Sequence, residues 1–200
     1  MKTLRFNTIK LLNEQKQQKI YKAMHKKAKT PHESVGWISE ERQKLRFEEL
    51  TRGLSLDGKK ILDFGCGLGA FCGFLQEKGI SYDYTGIDLV ESFIKKAAIT
   101  YPEARFVKGS IFDIDEPFDY VFSSGVYAFC SKELFLESIK KSFALAKYEY
   151  RFNMLIDAKS SGFFKCSKKE LNFFLAPFDS LISYKFGYLE NDMTIFMGKQ

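Results

Sequence analysis

Two acids and three glycines are the residues of this 200-residue chain whose types and spacing could do chemistry. The stretch Asp63-Phe64-Gly65-Cys66-Gly67-Leu68-Gly69-Ala70 directly follows the apolar pair Ile61-Leu62. Glycines after a strand let the backbone turn tightly and approach a ligand closely. Asp88 ends the next apolar run, 19 residues after Gly69. An acid at that place can accept hydrogen bonds from both hydroxyls of a ribose. Gly65, Gly67 and Ala70 also fit the dinucleotide pattern G-x-G-x-x-A, so a nicotinamide cofactor has to be weighed. Asp63 argues against it: its charge would repel a pyrophosphate lying over the turn and attract an ammonium or sulfonium.

These residues need strands and helices to hold them. Residues 60–64 read as a buried parallel strand, 68–78 as a helix closing on Gly79, and 82–87 as a second strand. Asp88 is placed to cap the next helix, with Glu91 as its capping-box partner. Strands follow at 105–108, 118–123 and 150–156, with a helix over 131–146. Ser167-Lys-Lys-Glu170 opens a further helix, and 181–186 with 193–197 form a closing hairpin. Ahead of these lie a helix over 8–28, with Ile9, Leu12, Ile20, Tyr21 and Met24 on one face, and a second one capped by Ser39 and reaching Gly53. Alternating strands and helices predict an α/β chain with a parallel sheet that binds ligands beyond its carboxyl ends.

With the motifs in order, the chain resembles the class I S-adenosylmethionine (SAM)-dependent methyltransferases, over roughly residues 34–200. Asp63-x-Gly65-x-Gly67-x-Gly69 is similar to their first motif and Tyr84-Thr-Gly-Ile-Asp88 to the second. Phe106-Val-Lys-Gly109-Ser110-Ile111 resembles the third, and Phe118-Asp119 through Ser123-Ser124 the fourth strand. The resemblance implies a Rossmann-like, seven-stranded, mostly parallel sheet with an antiparallel last strand, helices on both faces and an N-terminal helical cap. It divides the chain into an arm and cap, 1–52, and a SAM-binding domain, 53–200. It also implies cofactor contacts from Asp63, Gly65, Cys66, Gly67, Gly69, Asp88, Leu89, Ser110, Ile111, Phe112 and Ser123. The family often has Asp where this chain has Ser110, so Ile111 and Phe112 backbone groups are expected to share in holding the adenine. Val35-Gly36-Trp37, Arg46-Phe47 and the closing Asp192-Met-Thr-Ile-Phe-Met197 resemble an uncharacterised bacterial small-molecule branch. On that reading Trp37 is a lid over the cofactor, and Arg46 clamps the methionine carboxylate through charge-assisted hydrogen bonds. The product would be S-adenosylhomocysteine (SAH). Tyr127, beyond the fourth strand, and His32 are the candidate bases.

Composition narrows the class. The net charge of +6 invites a nucleic-acid reading. Residues 1–30, however, hold nine Lys/Arg against one acid, and residues 31–200 hold 22 against 24. The surplus belongs to the arm, not to the body. The fourth strand runs into Ser123-Ser124-Gly125-Val126, without the Pro-Pro-aromatic signature of amino-methylating DNA enzymes, and no Pro-Cys nucleophile occurs. A small-molecule acceptor is therefore expected. The alternatives are a tRNA or rRNA methyltransferase using the basic arm and a non-catalytic module that keeps the cofactor site. Four scattered Cys without a C-x-x-C pair, and two His, predict neither a metal site nor a disulfide framework. The start MKTLRFNTIK has no secretory h-region, and no apolar run reaches the roughly 18 residues of a membrane span. A cytoplasmic location is expected, and the sequence sets no oligomeric state.

Overall fold

The structure, a computed structural model, describes residues 2–156, 163–164, 166–178 and 180–200. Seven strands form one sheet: β1 Lys59–Phe64, β2 Tyr82–Asp88, β3 Arg105–Lys108, β4 Phe118–Ser124, β5 Ala146–Leu155, β6 Leu181–Phe186 and β7 Asp192–Gly198. Their order is β3-β2-β1-β4-β5-β7-β6. Strands β3 to β5 pair in parallel, and β7 runs antiparallel between β5 and β6. The order reverses beside β1, which opens a crevice beyond its carboxyl end.

The period-two alternation of β1 and β4 gives each sheet face its own core. Leu62 and Val121 meet Phe135, Ile139, Leu171 and Leu175, from α6 Lys132–Leu145 and α7 Lys168–Leu175. Ile61 and Phe122 meet Phe47, Leu50, Phe71 and Leu75, from α3 Glu40–Thr51 and α4 Ala70–Glu77. Capping follows the sequence at three points. Ser39 Oγ accepts the Arg42 N–H, Ser131 Oγ accepts the Leu134 N–H, and Ser167 and Glu170 close a reciprocal box.

Four local expectations change. The first helix, α1, spans Lys2–Lys27 rather than 8–28, and Leu12 of its expected apolar face is 60% exposed. A one-turn helix that the sequence reading does not include, α2 Pro31–Ser34, follows, capped by Thr30 and opened by a proline that needs no donor at N1. The Asp88–Glu91 capping box does not form, because both Asp88 oxygens are engaged elsewhere and α5 Glu91–Thr100 starts behind Val90. Strand β5 begins at Ala146, straight out of α6, four residues earlier than its apolar core predicts. The sheet ladder extends into a polar segment that the hydrophobic pattern does not mark.

Helix α3 is tied to the sheet by one buried side chain. Arg151, on β5, donates from Nη1 to the Leu50 and Arg52 carbonyls at 3.1 and 2.8 Å, and from Nε to Glu149 at 2.6 Å. It satisfies carbonyls left open at the helix end. Arg151→Met should lower unfolding free energy by about 2–4 kcal/mol, two or three charged hydrogen bonds less the apolar gain. Urea denaturation followed by circular dichroism measures it.

Candidate functional site

The β1–α4 turn is built by hydrogen bonds and by space. Gly65 and Cys66 N–H both donate to the Ile87 carbonyl, at 2.8 and 3.1 Å. Gly65 has φ +78°, and a Cβ there would lie 2.3 Å from Val126 Cγ2. At Gly67 (φ +55°) it would lie 2.9 Å from Val35 Cγ1. Val35 thus rests directly on the turn. Gly67 N–H donates to Asp88 Oδ2 at 3.0 Å, and Val90 N–H to Asp88 Oδ1 at 2.8 Å. These bonds aim the Asp88 carboxylate at the space above the turn.

That space is a cavity of about 320 Å³. Its floor comes from the ends of β1, β2, β4 and β5, including Asp63, Asp88, Ser124 and Asn153. Its roof comes from α1, the segment around α2, and α3. The residues of this roof lie within 17–47. Helix α1 is held across it at separate points. Phe6 meets Phe112 edge-on at 5.4 Å, Asn13 Oδ1 accepts the Ser131 N–H at 2.9 Å, and Tyr21 meets Phe129 at 5.8 Å. His25 meets Phe93 at 5.2 Å.

Three carboxylates (Asp63, Asp88, Asp192) and two guanidiniums (Arg42, Arg46) line the cavity among the described residues, with no Lys or Glu. Burial pushes Asp63 up to about 7, against the Tyr84 hydroxyl that donates to its Oδ2 at 2.6 Å. Asp88 is pushed up to about 6 by burial, against its backbone donors. Both shifts report negative charge without a cationic partner. Arg46 is 6% exposed, ion-paired through Nη2 to Asp192 and stacked 4.2 Å from the Trp37 ring centre. Trp37 packs against Gly125, where a Cβ would come 2.9 Å from Cζ2. Gly125, Trp37 and Arg46 thus stack into one wall, a cation–π arrangement.

Of the residues singled out from sequence, His32, Trp37, Arg46, Asp63, Gly65, Cys66, Gly67, Asp88, Leu89 and Tyr127 line the cavity. Gly69, Ser110, Ile111, Phe112 and Ser123 stand behind its wall. Gly69 faces Tyr101 and Phe106. Ser110 N–H and Oγ both donate to Asp113 Oδ2, at 2.8 and 3.2 Å, and Ile111 is buried in the core. Ser123 Oγ is 2.8 Å from the Tyr150 hydroxyl, and Phe112 receives Phe6 and the Lys10 ammonium. Tyr127 presents its ring, but its hydroxyl bonds the Tyr150 hydroxyl in the core, and burial drives its ionisation far above the ordinary range. That hydroxyl is not set up as a base. His32 Nε2 lies 3.2 Å from Thr30 Oγ1. Burial keeps the Cys66 thiol protonated.

Sequence reasoning missed Gln17, Gln43, Arg42, Asn153 and Asp192, which also line the cavity. Asp192 holds Arg46 and accepts from Tyr188 Oη at 2.5 Å, while Asn153 Nδ2 donates to Thr194 Oγ1 at 2.7 Å. Polar residues inside a strand that sits in the middle of the sheet were the available signal. A second signal was Gly86, where a Cβ would lie 2.9 Å from Cys66 Cβ and Sγ.

Residues 55–149 match the model of a family described as a methyltransferase domain. The Mycobacterium tuberculosis (strain ATCC 25618 / H37Rv) protein named "Putative methyltransferase Rv1506c" is 33% identical over 114 residues, 55% of this chain and 64% of its own. The chain therefore spans just under two thirds of that relative. The solved DhpI–SAH complex is similar with a TM-score of 0.72 at 15% identity, over 92% of this chain and 95% of that one. Magnesium protoporphyrin IX methyltransferase (ChlM) from Synechocystis PCC 6803 with bound SAM gives 0.65 at 14% identity, over 80% of each chain. At these identities the structural likeness is one of fold.

Two outcomes follow from the buried charges. Asp63 and Asp88 bind protons more tightly folded (about 7 and about 6) than in an unfolded chain, near 3.8. The folded state therefore loses stability as pH rises between about 4 and 7. Thermal melts of the unliganded protein should fall from pH 5 to pH 8, and fall less in Asp63→Asn. Arg46→Met strands the Asp192 carboxylate and should cost about 3–5 kcal/mol at pH 8. The cost should be smaller at pH 5, because burial raises the Asp192 carboxyl and removing Arg46 takes away a charge that lowers it. Chemical denaturation at the two pH values checks this.

Proposed function

We propose that this chain is a class I SAM-dependent methyltransferase, a reading supported by its methyltransferase-domain match and its fold, and that it transfers the sulfonium methyl of SAM to a small-molecule acceptor. The observation that carries the reading is the excess of buried carboxylate, Asp63 and Asp88, facing one covered cavity. A cofactor with an ammonium and a sulfonium relieves that excess, and its ribose offers two donors to Asp88. The fit is supported by the glycine turn, whose positive φ angles leave backbone where a side chain would intrude.

Asp88 would hold the ribose hydroxyls with the lone pairs that Gly67 and Val90 leave open. Asp63 supplies the negative potential beneath the turn. Arg42 carries a guanidinium that makes no hydrogen bond or ion pair among the described residues, and with Arg46 it would meet the methionine carboxylate. When bound, SAM supplies a methyl group already activated for in-line displacement. The protein then has to align the acceptor and keep water out, and positioning can be worth about 7–11 kcal/mol. Trp37, Phe129, Phe163 and Phe164 give the acceptor side an aromatic wall. Charge is lost on the way to the transition state, which suits such a wall.

Without a tyrosinate at Tyr127, His32 is the imidazole left on the cavity to take a proton. With the cofactor's net +1, the cavity's three acids and two guanidiniums come to balance, which favours a neutral acceptor. The exposed Lys16, Lys19, Lys22 and Lys26 of α1 favour a second reading, an RNA substrate. RNA binding that weakens steeply with salt and vanishes on removal of residues 1–28 would establish it.

Calorimetric titration with SAH tests the first reading. The wild type should bind, and Asp88→Ala should lose at least about 100-fold in affinity, two hydrogen bonds to a charged acceptor. Undiminished binding by Asp88→Ala would overturn it.

A further inference from the structure

Helix α1 faces the cavity with polar as well as apolar side chains: Gln17, which is 7% exposed, and Gln18 line it together with Tyr21 and Met24, while Leu4, Leu11 and Leu12 are 75%, 54% and 60% exposed. Neither glutamine side chain has a hydrogen-bond partner among the described residues. Both amides open into the cavity with their hydrogen-bonding capacity unspent, so this face is organised for something that arrives.

Neighbouring turns locate it. Glu14, three and four positions before the glutamines, faces Ser110 and Asp113 at the end of β3. Tyr21, three and four positions after them, lies close enough to Asp88, at the end of β2, to feel its charge. Positions 14, 17, 18 and 21 share one helix face. Asn13 and Tyr21, a turn either side of Gln17, also reach Ser131 and Phe129 beyond β4, so Gln17 and Gln18 stand between the ends of β2 and β3 and the segment that follows β4. Below them Ser110 spends both its donors, the N–H and the hydroxyl, on Asp113.

Given the SAM reading above, we infer that Gln17 and Gln18 of the covering helix read the hydrogen-bonding edge of the cofactor's adenine. A carboxamide presents a donor and an acceptor side by side, matching the amino group and adjacent ring nitrogen of adenine in a two-bond pair. The covering helix is then a cofactor ligand, and cofactor binding holds it down over the acceptor.

The experiment compares SAH with its analogue carrying hydrogen in place of the 6-amino group, by calorimetry on the full chain. The wild type should favour SAH by roughly 10- to 100-fold. Gln17→Met/Gln18→Met should bind both alike, at the analogue's affinity. SAH, but not the analogue, should slow amide hydrogen exchange in α1. Melting of the unliganded double variant should be no lower than wild type, because neither amide makes a hydrogen bond within the free protein; a purely structural role predicts lower. The single variant Gln17→Met repeats the comparison if the double variant folds poorly. Discrimination that persists in the variants overturns the inference, as does slowed exchange with both ligands. A wild type that binds SAH not at all brings down the SAM reading instead.

Discussion

Negative charge buried at the carboxyl ends of β1 and β2 is the constraint on which the rest of the structure depends. Asp63 and Asp88 sit at the one place where the parallel sheet changes direction, and backbone N–H groups of Gly67 and Val90 hold Asp88 in position. Desolvation makes both acids hold their protons far more tightly than in water. Such a site is costly when empty and favourable when a cation enters, which is how a binding site stores part of its affinity in the free protein.

The cover over these acids is assembled from distant parts of the chain. Arg151 on β5 fixes the end of α3, Arg46 on α3 pairs with Asp192 at the start of β7, and Trp37 fills the gap between Arg46 and Gly125. A guanidinium buried against a carboxylate and stacked on an indole is rigid, so this wall keeps its shape. Helix α1 is different. It touches the body through a few ring edges, the Asn13–Ser131 hydrogen bond and the Lys10–Asp113 ion pair at 3.6 Å. A firm wall and a lightly held roof suit a site that must admit a cofactor and then exclude water.

The basic surplus takes its meaning from this arrangement. Lys16, Lys19, Lys22 and Lys26 of α1 face outward while Gln17 and Gln18 line the cavity, so most of the charge that dominates the composition does not meet the chemistry. No helix among the described residues is long and apolar enough to cross a membrane. No cluster of His, Cys, Asp and Glu among them could hold a metal ion.

The strands were legible because their apolar runs are short, buried and punctuated by Gly65, Gly79 and Asn191, and local sterics act on local sequence. The turn with Asp63 and Asp88 was legible for the same reason: glycine spacing and an acid at a strand end are properties of a dozen residues. The polar part of the inner face of α1 was not. Periodicity set Tyr21 and Met24 on the face that lines the cavity, but it also set Leu12 there, which is exposed, and could not show that Gln17 and Gln18 join them. Nor could local pattern pair Arg46 with Asp192, 146 positions apart, or show that Ser110 and Ser123 spend their hydroxyls behind the wall. Thus the sequence by itself determined the sheet, the glycine turn and the two acids, whose conformations follow from backbone freedom and burial within each segment. Tertiary structure alone decided which polar groups remain free to meet a ligand, because that depends on what every other part of the chain has already satisfied.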